Sequence, residues 1–407
     1  MVSNIDDIHS SQCRFLQIEG RSIEFYGLIA ILALLLVLAL GSFYYMEHNG
    51  HWVTGMSNKV IWGMPHVFAI LLIIAASGAL NIASVASVFN KQLYKPLSRL
   101  SALIAMALLA GGLMVLVLDL GRPDRLLIAM TNYNFKSIFA WNIILYNGFF
   151  VAVLVYIWFM FEKRMNKHSH NAGVIAFAWR LILTTGTGSI FGFIVSRHAF
   201  DNIILAPMFV TMSFSFGLSF FLIILLSSFK WTSREIGELI ISRLRRLLGV
   251  FIAAVLYFVT VYHIGNLYLA KNAEIEYFIL FSGNIYSNLF WYGQILLGSL
   301  VPLFLIYYPQ FSKNNSALIL ASILVIIGGG IQLYIIIIGS QVFPIEIFPG
   351  MDIISGYANI ANYIPSIYEI LLGIGGIALA LIMVSLAVKM VPYLPENLAD
   401  SNLEKNI

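Results

Sequence analysis

Residues 100–125 read LSALIAMALLAGGLMVLVLDLGRPDR. The stretch is uncharged until Asp119, and then Asp119, Arg122, Asp124 and Arg125 fall within seven positions. An uninterrupted apolar run of about 20 residues matches the hydrocarbon thickness of a bilayer. The rest of the chain follows suit, being 60% hydrophobic and 10% charged over 407 residues, with a mean hydropathy of +0.89. Soluble domains carry about 25% charged residues, so the composition specifies a polytopic membrane protein and the quoted stretch is one of its spans, ended by a charged corner.

Working outward, ten spans are expected, at 25–45, 61–87, 99–120, 138–161, 174–195, 207–227, 248–269, 287–308, 317–340 and 366–391. The expected fold class is therefore all-α. WGMPHVFAILLIIAASG at the second span and LAPMFVTMSFSFG at the sixth echo each other, suggesting two four-helix units, spans two to five and six to nine, with flanking helices. Lys and Arg orient the chain. The N-terminus, even-numbered loops and C-terminus hold 16 of them, the odd-numbered loops hold 6, and Arg180 lies inside a span. Residues 1–24 and 392–407 are thus expected to be cytoplasmic tails flanking one transmembrane domain, 25–391, in a bacterial inner membrane. The GRPDR corner and the long loop 341–363 then face outward. The first residues show no apolar run followed by a small-residue cleavage site, so a retained tail is expected.

The pI of about 9.0 does not indicate nucleic acid, because the basic residues are divided among short loops. Cys13 is the single cysteine, which excludes an internal disulfide, a Cys-ligated iron–sulfur cluster and a CxxCH haem attachment within this sequence. No metal-ligand spacing is found either.

A charge inside a span costs roughly 2.5–3.5 kcal/mol on insertion scales and needs a reason. Five residues qualify: His66, Asp119, Arg180, His263 and Glu369. Four lie toward the outer surface, and Arg180 lies about two turns in from the cytoplasmic side. Each has an ordinary structural use. His66 could bond a carbonyl, Asp119 could pair with Arg122 or Arg125, and Arg180 needs a buried carboxylate or carbonyl. Their gathering on one leaflet points to chemistry. A quinone head group has two oxygens that exchange protons as electrons move, and an imidazole with a carboxylate suits both. Haem ligation by His66 and His263 is an alternative, weakened by the lack of a second intramembrane His pair. A secondary transporter is another, resting on the glycine-interrupted TTGTGSIFG of the fifth span, which small-residue helix packing explains equally well. A structural anchor without quinone leaves the outer cluster unexplained.

LDLGRPDR followed by NYNFKSIFAWNIILYNGFF resembles the signature corner of the NrfD/PsrC family of membrane subunits. WGMPHVFAILLIIAASGAL resembles its quinone-facing early helix, and VSRHAFDNIILAPMFVTMSFSFG resembles its connection into the sixth helix. NLFWYGQILLGSLVPL and IFPGMDIISGYANIANYIPSIYEILLGIGG look like the later part of the long, ten-helix branch, which takes in HybB-like, alternative complex III-like and DsrP-like subunits, and a DsrP-like subunit of sulfur metabolism is expected. The resemblance covers roughly 55–390. It implies a membrane subunit without haem or metal that binds menaquinone or ubiquinone near the outer face. It also implies electron exchange with an extracytoplasmic ferredoxin-like iron–sulfur subunit of an oxidoreductase complex. On this reading His66 and Asp119 serve the quinone, with Tyr133 or Trp141 as aromatic partner and His263 nearby. Arg180 and Glu369 are candidates for a proton path. Arg122, Asp124 and Arg125 would pair with one another or dock the partner.

Overall fold

A computed structural model describes residues 14–195, 197, 199–344 and 359–400. Ten helices among them are long and apolar enough to cross a membrane: α1 (Ile23–Asn49), α2 (Met64–Ser87), α3 (Gln92–Leu118), α4 (Ile138–Phe161), α5 (Asn166–Gly192), α6 (Leu205–Trp231), α7 (Glu238–Tyr268), α8 (Ile285–Tyr307), α9 (Asn315–Val342) and α10 (Ile367–Met390). The protein is a multi-pass integral membrane protein, and each expected span has its helix.

Boundaries differ where local chemistry outweighs hydropathy. α2 starts at Met64 and not at 61, because Pro65 occupies the first turn, where its missing N–H costs nothing. α7 starts at Glu238 and not at 248. The RLRR segment continues the helix, and Arg245 Nη1 reaches Glu238 Oε1 at 3.0 Å. The third and seventh loops hold short helices, Leu126–Thr131 and Ala270–Leu280, that hydropathy did not reveal.

Packing supports the two four-helix units. α2, α3, α4 and α5 form one ring of neighbours, and α6, α7, α8 and α9 form another. The rings meet at α2 and α6, the two most deeply buried helices. A methyl group at Gly78 would collide with the Ser213 carbonyl, and one at Gly217 with the backbone of Gly78 and Ala79. The two backbones therefore touch directly at the crossing. α10 lies against α2 and α3, and α1 lies against α10.

Ten crossings put both ends on one face. There, Phe15–Leu16 pairs antiparallel with Leu394–Pro395. Arg234 clasps the pairing, its Nη2 donating to the Gln17 carbonyl at 2.9 Å and its Nη1 to that of Pro395 at 3.0 Å. The described parts of the two expected tails, 14–24 and 392–400, are thus clipped to each other. Residues 345–358, which hold most of the expected long outer loop and much of the IFPGMDIISGYANIANYIP motif, lie outside the described residues.

Candidate functional site

The charged corner opens at the end of α3. Asp119 N–H still donates to the Val115 carbonyl at 3.1 Å, and Gly121 then takes φ +66°, a left-handed turn that suits glycine. This turn carries Arg122, Asp124 and Arg125 into the open while the Asp119 side chain stays inside with 1% exposure. Among the described residues no ion pair joins Arg122 or Arg125 to Asp119 or Asp124. The partner of Asp119 is His66, in the first turn of α2, whose Nδ1 lies 2.9 Å from Asp119 Oδ2. His66 remains 21% exposed.

That approach is close but poorly aligned. Neither Asp119 oxygen nor His66 Nδ1 has a well-directed hydrogen bond among the described residues, although all three atoms are buried. Buried polar atoms in proteins nearly always find partners, and an unmet one costs about 1–3 kcal/mol. Two residues that the hydropathy reading left in the first loop or at a helix end share this condition. Glu47 Oε1 and His51 Nε2 are also buried without partners. The His51 ring packs on Gly121, its Nε2 3.2 Å from where a Cβ would stand. Their neighbours Met46 and Val53 pack in one apolar cluster with Ala69, Val115 and Leu118, which flank His66 and Asp119 in sequence.

Trp62 is the aromatic neighbour of His66, with ring centroids 6.1 Å apart, and it is walled by Phe139, Phe191 and Phe200. Gln341 of α9 fixes it. Its Oε1 accepts from Ile61 N–H at 2.9 Å and Trp62 N–H at 3.1 Å, and its Nε2 donates to the Trp62 carbonyl at 3.0 Å. Arg197 donates to the Gln341 and Lys59 carbonyls, each at 2.7 Å, so the two rings of helices are tied at this face. Its burial pushes the guanidinium pKa down.

The other expected aromatic residues stand apart from this pair. Trp141 is exposed and donates from Nε1 to the Phe135 carbonyl at 2.9 Å. Tyr133 lines an open groove of about 920 Å³ that runs along α4 and α5 past Asn147, Trp179 and His168. Neither hydrogen-bonds to His66 or Asp119 among the described residues.

Glu369 is fully buried and well supplied. It accepts from Gly55 N–H at 2.8 Å, Ser366 N–H at 2.7 Å and Tyr363 O–H at 2.7 Å, while its own N–H donates to Ser366 Oγ. This is a capping box extended to the neighbouring loop. Since the Tyr363 hydroxyl also accepts from Met64 N–H at 2.7 Å, Glu369 locks the start of α10 to the start of α2. Burial first, and the Glu369 charge second, push the Tyr363 pKa up. Arg180, 1% exposed, finds a carbonyl, that of Ser77 at 3.3 Å, and the ring faces of Phe177 and Phe214 at 4.9 and 5.3 Å; its Nε has no partner.

His263 is committed elsewhere. Its Nδ1 lies 2.7 Å from Oε2 of Glu276, on the short helix after α7. His66 and His263 are thus each engaged by a different carboxylate, and no ring contact joins them. Glu276, which lies between the expected seventh and eighth spans, is 0% exposed.

The chain matches the model of the family described as "Polysulphide reductase, NrfD" over residues 52–345. It is 29% identical over 398 residues to an Hdr-like menaquinol oxidoreductase integral membrane subunit of Archaeoglobus fulgidus, covering 96% of this chain and 99% of that protein. The C subunit of the selenate reductase of Mesobacillus selenatarsenatis is 23% identical, across 89% of this chain and 93% of its own length. The corresponding C component of the polysulfide reductase of Wolinella succinogenes is 25% identical, across 69% of this chain and 95% of its own. With most of its length matched by the family model, the chain belongs to the NrfD family of integral membrane proteins.

Proposed function

We propose that this chain is the quinone-handling membrane subunit of an oxidoreductase complex, passing electrons between the quinone pool and an iron–sulfur subunit at its outer face. One observation carries the reading. His66 and Asp119 meet at 2.9 Å at the mouth of the helices, yet leave three buried polar atoms without hydrogen bonds. Such atoms fit a ligand that both donates and accepts, and a quinol head group does. The name of the Archaeoglobus relative supports menaquinol as the quinone class.

A quinol bound there would supply two electrons and two protons. The chain's own groups handle the protons. Asp119 beside Nδ1 favours the tautomer carrying its proton on that atom, which leaves His66 Nε2 as the base. The imidazolium formed when Nε2 takes a proton is stabilised by the Asp119 carboxylate next to it. Trp62 and its Phe wall keep bulk water from one side of the imidazole. Electrons require an acceptor that a chain with one cysteine does not build from its own side chains, which supports an iron–sulfur partner. The Lys/Arg asymmetry supports placing the site on the outer face of a cytoplasmic membrane, with both termini inside. On that orientation the exposed Arg122 and Arg125 present positive charge to the partner.

The test uses the intact complex. His66→Phe keeps bulk and removes the base; Asp119→Asn keeps size and removes the charge. Each is expected to lower quinol-linked turnover by roughly 10²–10⁴-fold, while electron transfer from the partner to an artificial acceptor is spared. Quinol turnover within twofold of wild type in both variants would make the pair structural.

A further inference from the structure

The second ring of helices holds its own buried acid and base, and the quinol reading uses neither. Glu276 is 0% exposed, and its Oε1 accepts from Asn266 Nδ2 at 2.8 Å while its Oε2 meets His263 Nδ1 at 2.7 Å. Asn266 Oδ1 in turn accepts from Asn202 at 2.8 Å and Asn272 at 3.1 Å. The residues adjacent to those two, Asp201 and Lys271, form an ion pair of 2.7 Å at the surface, with side-chain exposures of 32% and 49%. A hydrogen-bonded chain therefore runs from half-buried Asn202, next in sequence to that surface pair, to a fully buried carboxylate.

It continues inward. His263 lines a small cavity with Gln294, Gln332 and Ser340. A second cavity, lined by the same two glutamines, reaches Ser215 and Ser299. Each offers about 10 Å³, near the least that houses one water. The glutamines are 4% and 3% exposed and are nearly without protein partners. Gln332 Nε2 has only the weak acceptor Met208 Sδ, at 3.9 Å, and no hydrogen bond to the Gln294 amide is made among the described residues. Buried amides seldom go unmet, and one water in each cavity would meet these. Ser215 lies ten residues into α6, about 15 Å along at 1.5 Å per residue, which is the middle of the hydrocarbon layer.

The backbone is irregular at these residues. Leu289–Leu300, holding Gln294, and Ile335–Gly339, between Gln332 and Ser340, are π-helical. Such segments are rare and frequent at functional sites, since they widen the turn and re-aim side chains.

We propose that His263 and Glu276 form a proton-loading site, reached from the outer surface and continued by bound waters to the middle of the membrane. With its shared proton the pair is imidazolium and carboxylate; without it, imidazole and carboxylate. The proton passes between water and the His263–Glu276 pair, and no oxidant or reductant is needed. Around the pair, the other titratable groups are Tyr262, whose hydroxyl donates to the Ala199 carbonyl at 2.7 Å, and the surface Lys271–Asp201 pair. The faces of α8 and α9 contribute only amides, hydroxyls and apolar groups to the cavities, with the Phe290 ring 4.8 Å from that of His263. The site is independent of the quinol reading, because none of its residues touches His66 or Asp119.

The full-length chain in lipid nanodiscs provides the test, without quinone or partner. Infrared difference spectra through a pH titration should show imidazole bands and the stretch of one buried carboxylate changing together. The carboxylate change should be absent in Glu276→Gln, which keeps the size with a single acceptor oxygen, and the imidazole change absent in His263→Gln, which serves if the first variant does not fold. Hydrogen–deuterium exchange should run about tenfold faster in Leu289–Leu300 and Ile335–Gly339 than in the equally buried centre of α6. Gln294→Leu with Gln332→Leu should remove that excess by drying the cavities. Spectra unchanged by both His263→Gln and Glu276→Gln, or π-helical segments as protected as α6, would reduce the network to a dry lock between α7 and its following helix.

Discussion

The two rings of helices each place a histidine against a carboxylate near the same face, and they do so in opposite states of satisfaction. His263 and Glu276 sit in a network with three asparagines, in which the carboxylate has a directed partner for each oxygen and only Asn272 Oδ1 is left unmet among the described residues. His66 and Asp119 are as near to each other, yet both Asp119 oxygens lack directed bonds and His66 is partly open. A histidine and a carboxylate thus serve different ends: the satisfied pair is suited to exchange a proton alone, whereas the unsatisfied one is shaped for a larger group that arrives.

The widest separation between the pairs should appear in catalysis. Where His66→Phe costs orders of magnitude in quinol turnover, His263→Phe should stay within about one order, since it removes no base from the quinol mouth. Comparable losses in both, measured on intact complexes, would erase the distinction. Stability should rank the pairs the other way. Glu276→Leu strands His263 and Asn266 in the interior at about 1–3 kcal/mol for each unmet group. Asp119→Leu strands only a partly exposed imidazole, so in thermal denaturation its Tm should fall less. A larger drop for Asp119→Leu would mean that the first pair is the structural one. Between them in kind, Gln341→Leu frees Trp62 without touching His66, and should raise the KM for quinol more than it lowers kcat. An unchanged KM would show that the aromatic wall is not part of the site. The smallest effect belongs to the corner. Arg122→Glu with Arg125→Glu should weaken partner association by under about 1 kcal/mol per lost exposed pair, most visibly at low salt, where screening is least. Association insensitive to both charge reversal and salt would place the partner elsewhere.

The spans were legible because a bilayer demands a long apolar run whatever the neighbours are. His66 and Asp119 were legible for a related reason, as the cost of burying charge singles them out. Glu276 was not, because it lies between spans, where a charge reads as solvated, and the short helix Ala270–Leu280 that buries it has no hydropathy signature. Glu47 and His51 were hidden in the same way by the end of α1. Gln294, Gln332 and Gln341 are uncharged, so a search for ionisable groups passes over them. The π-helical segments look like any apolar helix in sequence, since the change lies in hydrogen-bond register and not in residue type. Asp119 could have been assigned to the arginines beside it; only the left-handed turn at Gly121 shows that they leave while it stays.

At the crossing of α2 and α6, backbone rests on backbone through Gly78 and Gly217. A joint with no side-chain layer has no room for one more carbon atom. The spacing of the two rings at this crossing is therefore set by backbone alone, and an alanine at Gly78 or Gly217 would force them apart.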